Sequence, residues 1–280
     1  MCRWMAYSGD PILADELLYQ PVHSVIDQSM HARLGPNTTN GDGFGIGWYG
    51  EGVAPAVFKS ILPAWNDRNL RELAGEIRTS LMFAHVRAST GTAVERSNCH
   101  PFRYGRWLWM HNGFIKEFFR LKRDLVMAVD PVLYPAIEGS TDSEVLFFLA
   151  LTFGLPDDPP GAVAHAVGLV EEIARRHGID DPVQMTVATA DGERLWMFRY
   201  ASVGTPRSLF YSTGVSQLRA LHPELDALRQ LGPKSRFVVS EPLRDLKGAW
   251  NELPESTYGV VHDGRYELHA FVPVSPVHAP

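Results

Sequence analysis

Apolar residues in this 280-residue chain occur mainly as short runs, often alternating with polar residues, and turn-forming residues separate the runs. This pattern is typical of β-strands, whose successive side chains point to opposite faces. Two Asp-Gly pairs, Asp191-Gly192 and Asp263-Gly264, lie between such runs and predict hairpins. The predicted strands are 2–8, 43–49, 57–61, 81–87, 107–111, 183–188, 195–200, 209–212, 236–240, 259–261 and 266–272.

Longer segments with helical spacing predict helices between these strands. Thr141-Asp142-Ser143-Glu144 matches a capping box directly before an apolar run. Because helices come in pairs and strands in hairpins, the pattern favours an antiparallel α+β architecture over a doubly wound parallel sheet. The predicted helices are 66–79 with Asn66 as its cap, 115–129, a buried helix over the apolar run 145–155, and 160–177 before Gly178.

The loop at residues 157–160, Asp-Asp-Pro-Pro, is the candidate domain boundary. The strands beyond it look like parts of the sheets begun before it. We therefore expect a single domain over residues 2–280, in which strands at 183–272 complete the sheets.

Composition narrows the function classes. The chain is 45% hydrophobic and 21% charged, as ordinary soluble globular proteins are. Its net charge is −6 without a basic run, which argues against binding to nucleic acid or an anionic membrane. No apolar run approaches the ~18 residues of a membrane span, and the start lacks the pattern of a signal peptide. Two cysteines exclude a disulfide framework, so we expect a cytoplasmic protein.

The second residue is the most informative candidate for chemistry. Aminopeptidases remove an initiator Met when a small residue follows, and the mature chain would then begin at Cys2. A free α-amine has a pKa near ~8 and a thiol near ~8.5, so the two groups can exchange a proton at neutral pH. N-terminal nucleophile enzymes use the amine as their base in this way. The alternative is an ordinary cysteine in a first strand.

Glycines alternate in the segment at residues 40–48, Asn-Gly-Asp-Gly-Phe-Gly-Ile-Gly-Trp. In a strand these glycines share one face, where another backbone or a ligand can approach closely. Gly45, Gly47 and Gly50 also match the spacing of a dinucleotide fingerprint. We reject that reading, because the β-forming residues between them predict no helix there.

Two motifs combine a polar side chain with a strand end. Arg87 ends the predicted strand 81–87, where it either clamps a carboxylate or lies on the surface. Cys99 and His100 are adjacent, which raises a thiol dyad or a metal site. Neighbouring strand residues point apart and no second pair has ligand spacing, so we expect no metal and an inert buried Cys99.

Two further motifs each have a structural and a functional reading. Asn112 and Gly113 form the strongest short turn signal, but an amide and a glycine N–H also make a pair of donors for an oxyanion. Asp142 either caps its helix or holds a substrate ammonium.

Together these motifs resemble the class II glutamine amidotransferases, a family that includes the glutaminase domains of glucosamine-6-phosphate synthase and of the purine-pathway phosphoribosyl amidotransferase. They lie within residues 2–150 in the family's order. The Met-Cys-Arg start and the lack of a synthase domain look most like the stand-alone YafJ-type and ergothioneine-pathway members. The motifs are Cys2, the glycine segment 40–48, His85-x-Arg87-x-x-Thr90, Asn98-x-His100-Pro101, His111-Asn112-Gly113 and Thr141-Asp142-Ser143-Glu144.

The resemblance implies a fold and a nucleophile. The fold is the four-layer α/β/β/α sandwich of two antiparallel sheets found in N-terminal nucleophile hydrolases. Cys2 would attack a γ-glutamyl carbonyl to form a thioester, with its α-amine managing the proton. Asn112 and the Gly113 N–H would hold the oxyanion.

The resemblance also implies how the substrate is held. Arg87 would bind the α-carboxylate and Asp142 the α-ammonium, while Thr90 and His100 would line the pocket. No cofactor is implied.

The chain departs from the family at two pocket positions and leaves the substrate open. Relatives often carry Trp and His where this chain has Ala88 and Gly91. Residues beyond 182 read as strands without a phosphate-binding loop, so no second active site is visible. Three functions remain: a glutaminase, alone or with a separate synthase subunit; a hydrolase of another γ-glutamyl compound; and a non-catalytic binding module that retains Met1.

Overall fold

A computed structural model of the chain describes residues 2–34, 38–89 and 91–275. The strands are β1 Arg3–Leu13, β2 Phe44–Trp48, β3 Ala56–Ser60, β4 Arg78–Val86, β5 Phe102–Tyr104, β6 Trp107–Ile115, β7 Val183–Ala190, β8 Leu195–Ala201, β9 Phe210–Ser212, β10 Arg236–Val239, β11 Trp250–Glu252, β12 Thr257–His262 and β13 Arg265–Ala270. The helices are α1 Ala14–Leu18, α2 Val25–His31, α3 Arg68–Glu76, α4 Phe118–Met127, α5 Asp142–Thr152, α6 Pro159–Arg176, α7 Val215–Leu221 and α8 Ala227–Gln230.

The strands form two antiparallel sheets. The first has the order β11-β9-β10-β1-β4-β2-β3, and the second has the order β13-β12-β8-β7-β6-β5. Strands from both sides of the loop at 157–160 belong to each sheet, as the sequence predicted. On this ground we propose that residues 2–280 form one domain.

Side-chain alternation along β1 explains why the first sheet is covered on both faces. Met5 and Tyr7 pack into a cluster with residues of α1, α2 and α3. Trp4 and Ala6 point the other way, into a cluster shared with the second sheet. All four side chains are buried, so β1 lies in the centre of the fold.

The second sheet repeats this arrangement. On β6, Leu108 and Met110 join the cluster between the sheets, while Trp109 packs outward against α4, α5 and α6. The rings of Trp109 and Phe147 stack with centroids 5.5 Å apart. Burying each such large apolar side chain contributes about 1.5–3 kcal/mol. The layers are therefore helix, sheet, sheet and helix, and the predicted α/β/β/α sandwich is confirmed.

One predicted cap and two predicted element boundaries were wrong. Asn66 does not cap α3; Asp67 does, since its carboxylate accepts the Leu70 N–H at 2.9 Å. Asn112 and Gly113 do not form a turn, because β6 continues through them and pairs with β7. The helix expected from residue 115 consequently begins at Phe118.

Candidate active site

Both sheets and the helices α4 and α5 contribute to a cleft of about 230 Å³. Cys2 precedes β1 and Arg87 follows β4, and the pairing of Arg3 with Val86 places them side by side. β6 brings the second sheet's polar residues to the same place. The predicted site residues that line the cleft are Cys2, Arg87, His100, Asn112, Gly113 and Asp142. Thr90 lies outside the described residues.

The thiol of Cys2 is half-buried at the edge of this cleft. Its Sγ lies 3.4 Å from the Ala88 nitrogen and 3.6 Å from the Ala88 oxygen. Burial raises the pKa of the Cys2 thiol, and the Ala88 N–H and the Arg87 charge offset this only in part. The thiol is therefore protonated at neutral pH and needs a base before it can act as a nucleophile.

Asn112 and Gly113 face Cys2 from the second sheet. The Asn112 Nδ2 donates to the Cys2 carbonyl at 3.0 Å, which leaves the second hydrogen of this amide for another acceptor. A Cβ added at Gly113 would lie 1.9 Å from the Gln184 oxygen, so no larger residue fits without disturbing the β6–β7 pairing. Two donor-bearing residues are thus held beside Cys2 by β6.

Arg87 brings a buried positive charge to the cleft. Its side chain is 4% exposed, and Nη2 donates to the hydroxyls of Thr92 at 2.7 Å and Ser89 at 3.3 Å. Nη1 is buried and has no hydrogen-bond partner among residues 2–34, 38–89 and 91–275. A buried guanidinium with a spare donor favours an anionic ligand, and a carboxylate fits its fork.

Asp142 is not the cap of α5. Thr141 is the cap, since its hydroxyl accepts the Glu144 N–H at 3.2 Å. The Asp142 carboxylate instead bridges α5 and β6, accepting the Ser143 and Ile115 N–H groups at 2.8 Å each. The Ser143 hydroxyl also donates to Oδ1 at 3.3 Å, so Oδ2 is the oxygen that keeps a lone pair for a further donor. The Glu144 carboxylate accepts from Glu138 and Gly139 rather than from Thr141, so only half of the predicted capping box forms.

His100 belongs to a buried imidazole pair beside the cleft. Its ring packs against that of His85 at a tilt of 32° with centroids 4.3 Å apart, and within the described part of the chain none of their ring nitrogens has a hydrogen-bond partner. Burial lowers the pKa of His85 to about 3 and that of His100 well below its usual value. Both rings are therefore neutral at physiological pH. Cys99 is fully buried, and burial raises the pKa of its thiol, as expected for an inert cysteine.

The alternating glycines of β2 pack against the loop that carries His100. A Cβ at Gly45 would lie 2.1 Å from the His100 carbonyl oxygen, and one at Gly47 would lie 2.8 Å from Pro101. This is the close backbone approach that the sequence predicted. The dinucleotide reading was rightly rejected, because β2 leads into the β2–β3 hairpin rather than into a helix.

Sequence reasoning missed several residues that support the site. Asp42 accepts the Ser89 N–H at 2.7 Å, and its own N–H donates to the Arg87 carbonyl at 3.0 Å. His111 contacts the Ser143 hydroxyl at 2.7 Å. Asp42 lies inside the glycine segment and His111 lies beside Asn112. Their position within these motifs is the sequence signal that could have identified them as site residues.

Two searches of the described residues bear on other functions. No group of three or more His, Cys, Asp or Glu side chains there is arranged to hold a metal ion. No helix within 2–34, 38–89 and 91–275 has the length and apolarity to span a bilayer.

Comparison with protein families identifies the family to which this chain is similar. The family model for class II glutamine amidotransferases matches residues 19–278. A probable glutamine amidotransferase of Saccharomyces cerevisiae, DUG3, is 32% identical over 97% of this chain and 85% of its own length. The γ-glutamyl-hercynylcysteine sulfoxide hydrolase of Mycobacterium tuberculosis is 30% identical over 72% of this chain and 81% of its own.

Solved structures agree with the layer order. A glutamine aminotransferase class-II domain protein from Silicibacter pomeroyi superposes with a TM-score of 0.73 at 30% identity, covering 97% of this chain and all of its own. The glutamine phosphoribosylpyrophosphate amidotransferase of B. subtilis has a TM-score of 0.64 at 16% identity, over 96% of this chain and 49% of its own. The second likeness concerns the fold alone.

Proposed function

The chain belongs to the class II glutamine amidotransferases, enzymes that act on γ-glutamyl amides, and we propose that it hydrolyses its substrate through a γ-glutamyl thioester on Cys2. One observation carries this proposal. The Cys2 thiol shares a cleft with the unpartnered Nη1 of Arg87 and with the carboxylate of Asp142. An amino-acid head group requires a fixed cation for its carboxylate and a fixed anion for its ammonium, and this cleft holds both together with the thiol.

The proposed reaction begins when the α-amine of mature Cys2 takes the thiol proton. The sulfur attacks the γ-carbonyl carbon, and the carbonyl oxygen becomes an oxyanion. The free amide hydrogen of Asn112 and the Gly113 N–H stabilise this charge. The intermediate then collapses: the C–N bond breaks, the ammonium returns its proton to the leaving nitrogen, and the thioester remains. Water attacks the thioester, giving glutamate and the free thiol.

Head-group recognition follows from the charges around the cleft. Arg87 binds the α-carboxylate through Nη1, since Nη2 is already held by Ser89 and Thr92. Asp142 accepts from the α-ammonium through Oδ2, whose one contact with the Ile115 N–H leaves a lone pair free. We propose that the neutral His100 completes the wall.

The mouth of the cleft favours a substrate larger than glutamine. Phe114 is 40% exposed and Phe119 is 68% exposed, and both line the cleft. Such exposed rings offer contact area to a group carried on the γ-amide nitrogen. We therefore prefer a γ-glutamyl compound over free glutamine, in keeping with the activity named for the Mycobacterium tuberculosis relative. Delivery of ammonia to a separate synthase subunit is the alternative.

A substrate series tests the proposal. Glutamate release should require a free α-amine and a free α-carboxylate and should tolerate an aromatic γ-anilide.

Arg87→Ala should raise KM for γ-glutamyl anilides about 10- to 100-fold, because it removes a charge-assisted hydrogen bond contributing about 1.5–3 kcal/mol. Asp142→Asn should raise KM in the same direction, with circular dichroism reporting the fold. Equal rates on α-N-acetylated substrates would exclude this head-group model.

Asn112→Ala should lower kcat by about 10²–10³ with little change in KM, because the lost donor acts on the oxyanion rather than on the bound substrate. Steady-state kinetics on the mature enzyme measure both constants. Thr186→Val is a matched control, because the Thr186 hydroxyl contacts the backbone oxygen of Asn112 and not its side chain. A rise in KM alone for Asn112→Ala would contradict the oxyanion role.

A further inference from the structure

A buried carboxylate behind the nucleophile collects donors from three distant parts of the chain. Glu241 is 1% exposed, and its Oε2 accepts from the Arg3 Nε at 2.8 Å and from the Leu34 N–H at 2.8 Å. Its Oε1 accepts from the Arg33 N–H at 2.9 Å and lies 2.5 Å from the His23 Nε2. The His23 contact and the two N–H groups more than offset the cost of burial and lower the pKa of Glu241.

Arg3 extends this network to the nucleophile. While its Nε is held by Glu241, its Nη1 donates to the Cys2 carbonyl at 2.9 Å. The Asn112 Nδ2 donates to the same oxygen at 3.0 Å. The carbonyl of the nucleophilic residue is therefore fixed by two donors, one from each sheet.

We propose that Arg3 and Glu241 are positioning residues for the N-terminal nucleophile. This inference rests on the proposed role of Cys2. After removal of Met1, Cys2 is attached by one peptide bond, and its orientation depends on what holds its carbonyl. The Arg3 guanidinium supplies that hold, and Glu241 fixes the guanidinium. Misplacing a reacting atom by about 1 Å can cost 10²-fold in rate.

The geometry requires arginine and not only a positive charge. Nε and Nη1 are two donors of one rigid fork, and they serve Glu241 and the Cys2 carbonyl at the same time. A lysine has one nitrogen at the end of a flexible stem. Arg3→Lys keeps the charge beside Glu241 but cannot reproduce both contacts from fixed positions.

The experiment compares Arg3→Lys and Glu241→Gln with Arg236→Lys in a Cys99→Ala background. Arg236 is the matched control: it lies on β10, and its guanidinium donates to the Pro233 and Ser235 carbonyls. Intact mass must show that Met1 is absent from every variant. An electrophilic glutamine analogue titrates the competent sites, so kcat refers to folded enzyme only.

The expected result is a fall in kcat per titrated site of about 10- to 100-fold for Arg3→Lys and Glu241→Gln, with KM within twofold. The rate constant for alkylation of Cys2 by iodoacetamide should also change about 10- to 100-fold in these two variants. Arg236→Lys should have the same kcat, KM and alkylation rate as the parent. Unchanged kcat per site and unchanged alkylation in both variants would overturn the proposal, even if the melting temperature falls. If the parent releases no glutamate, alkylation still tests the positioning role, and the hydrolase function fails separately.

Discussion

Cys2→Ala is expected to lower the rate of glutamate release by about 10⁴–10⁶-fold, a loss typical of removing a nucleophile. The thioester needs a sulfur at this position. Cys99 cannot replace it, because its side chain is fully buried and its thiol contacts the Ser60 and Glu95 carbonyls. The measurement is kcat on a γ-glutamyl anilide with protein whose Met1 is shown to be absent. Mass spectrometry after reaction with an electrophilic glutamine analogue should place the label on Cys2.

Cys99→Ala is the control for this prediction and should retain most of the parent activity. Its cost is a small cavity and therefore a lower melting temperature rather than a lower kcat. If Cys99→Ala lost turnover while Cys2→Ala kept it, the assigned nucleophile would be wrong.

An uncleaved extension before Cys2 should leave a folded protein whose kcat is about 10²–10⁴-fold lower, the usual contribution of a positioned base. The extension turns the α-amine into an amide, which cannot accept the thiol proton. Because burial raises the pKa of the Cys2 thiol, little thiolate is present without that base. The test is kcat for the extended chain, with circular dichroism to show that it folds.

Proteolytic trimming supplies the matched control. A cleavable extension that ends directly before Cys2 should restore the parent kcat when the protease exposes the amine. An extended chain that turned over at the mature rate would exclude the amine as base, and it would also argue against the alternative that a chain retaining Met1 is non-catalytic.

The sequence predicted the sheets well and their ends poorly. Alternation of apolar and polar residues predicted β1, β4 and the later hairpins, because successive side chains of a strand lie on opposite faces of its sheet. The extension of β6 through Asn112 and Gly113 escaped prediction. The local Asn-Gly preference for a turn is overridden by pairing with β7, where the glycine lies against the Gln184 carbonyl. Short helices such as α7 were also missed, since seven residues carry little periodicity.

The site was predicted where a motif places its chemistry within a few residues. Arg87, Asn112 and Asp142 could be named in this way, and they line one cleft. Their supports could not be named, because the partners are remote in sequence: Asp42 meets Ser89 across 47 residues. The contact between Arg3 and Glu241 spans 238 residues, and no local pattern predicts it.

The place of β1 in its sheet sets an order of events during synthesis. β1 lies between β4 and β10, and Met5 pairs with Val239. At the ribosome's pace of about 5–20 residues per second, the β10 partner emerges roughly 10–50 s after β1. Until then one edge of β1 is unpaired and the nascent N-terminus lacks half of its final surroundings. Met1 can be removed during this interval, while the surroundings of Cys2 are still incomplete.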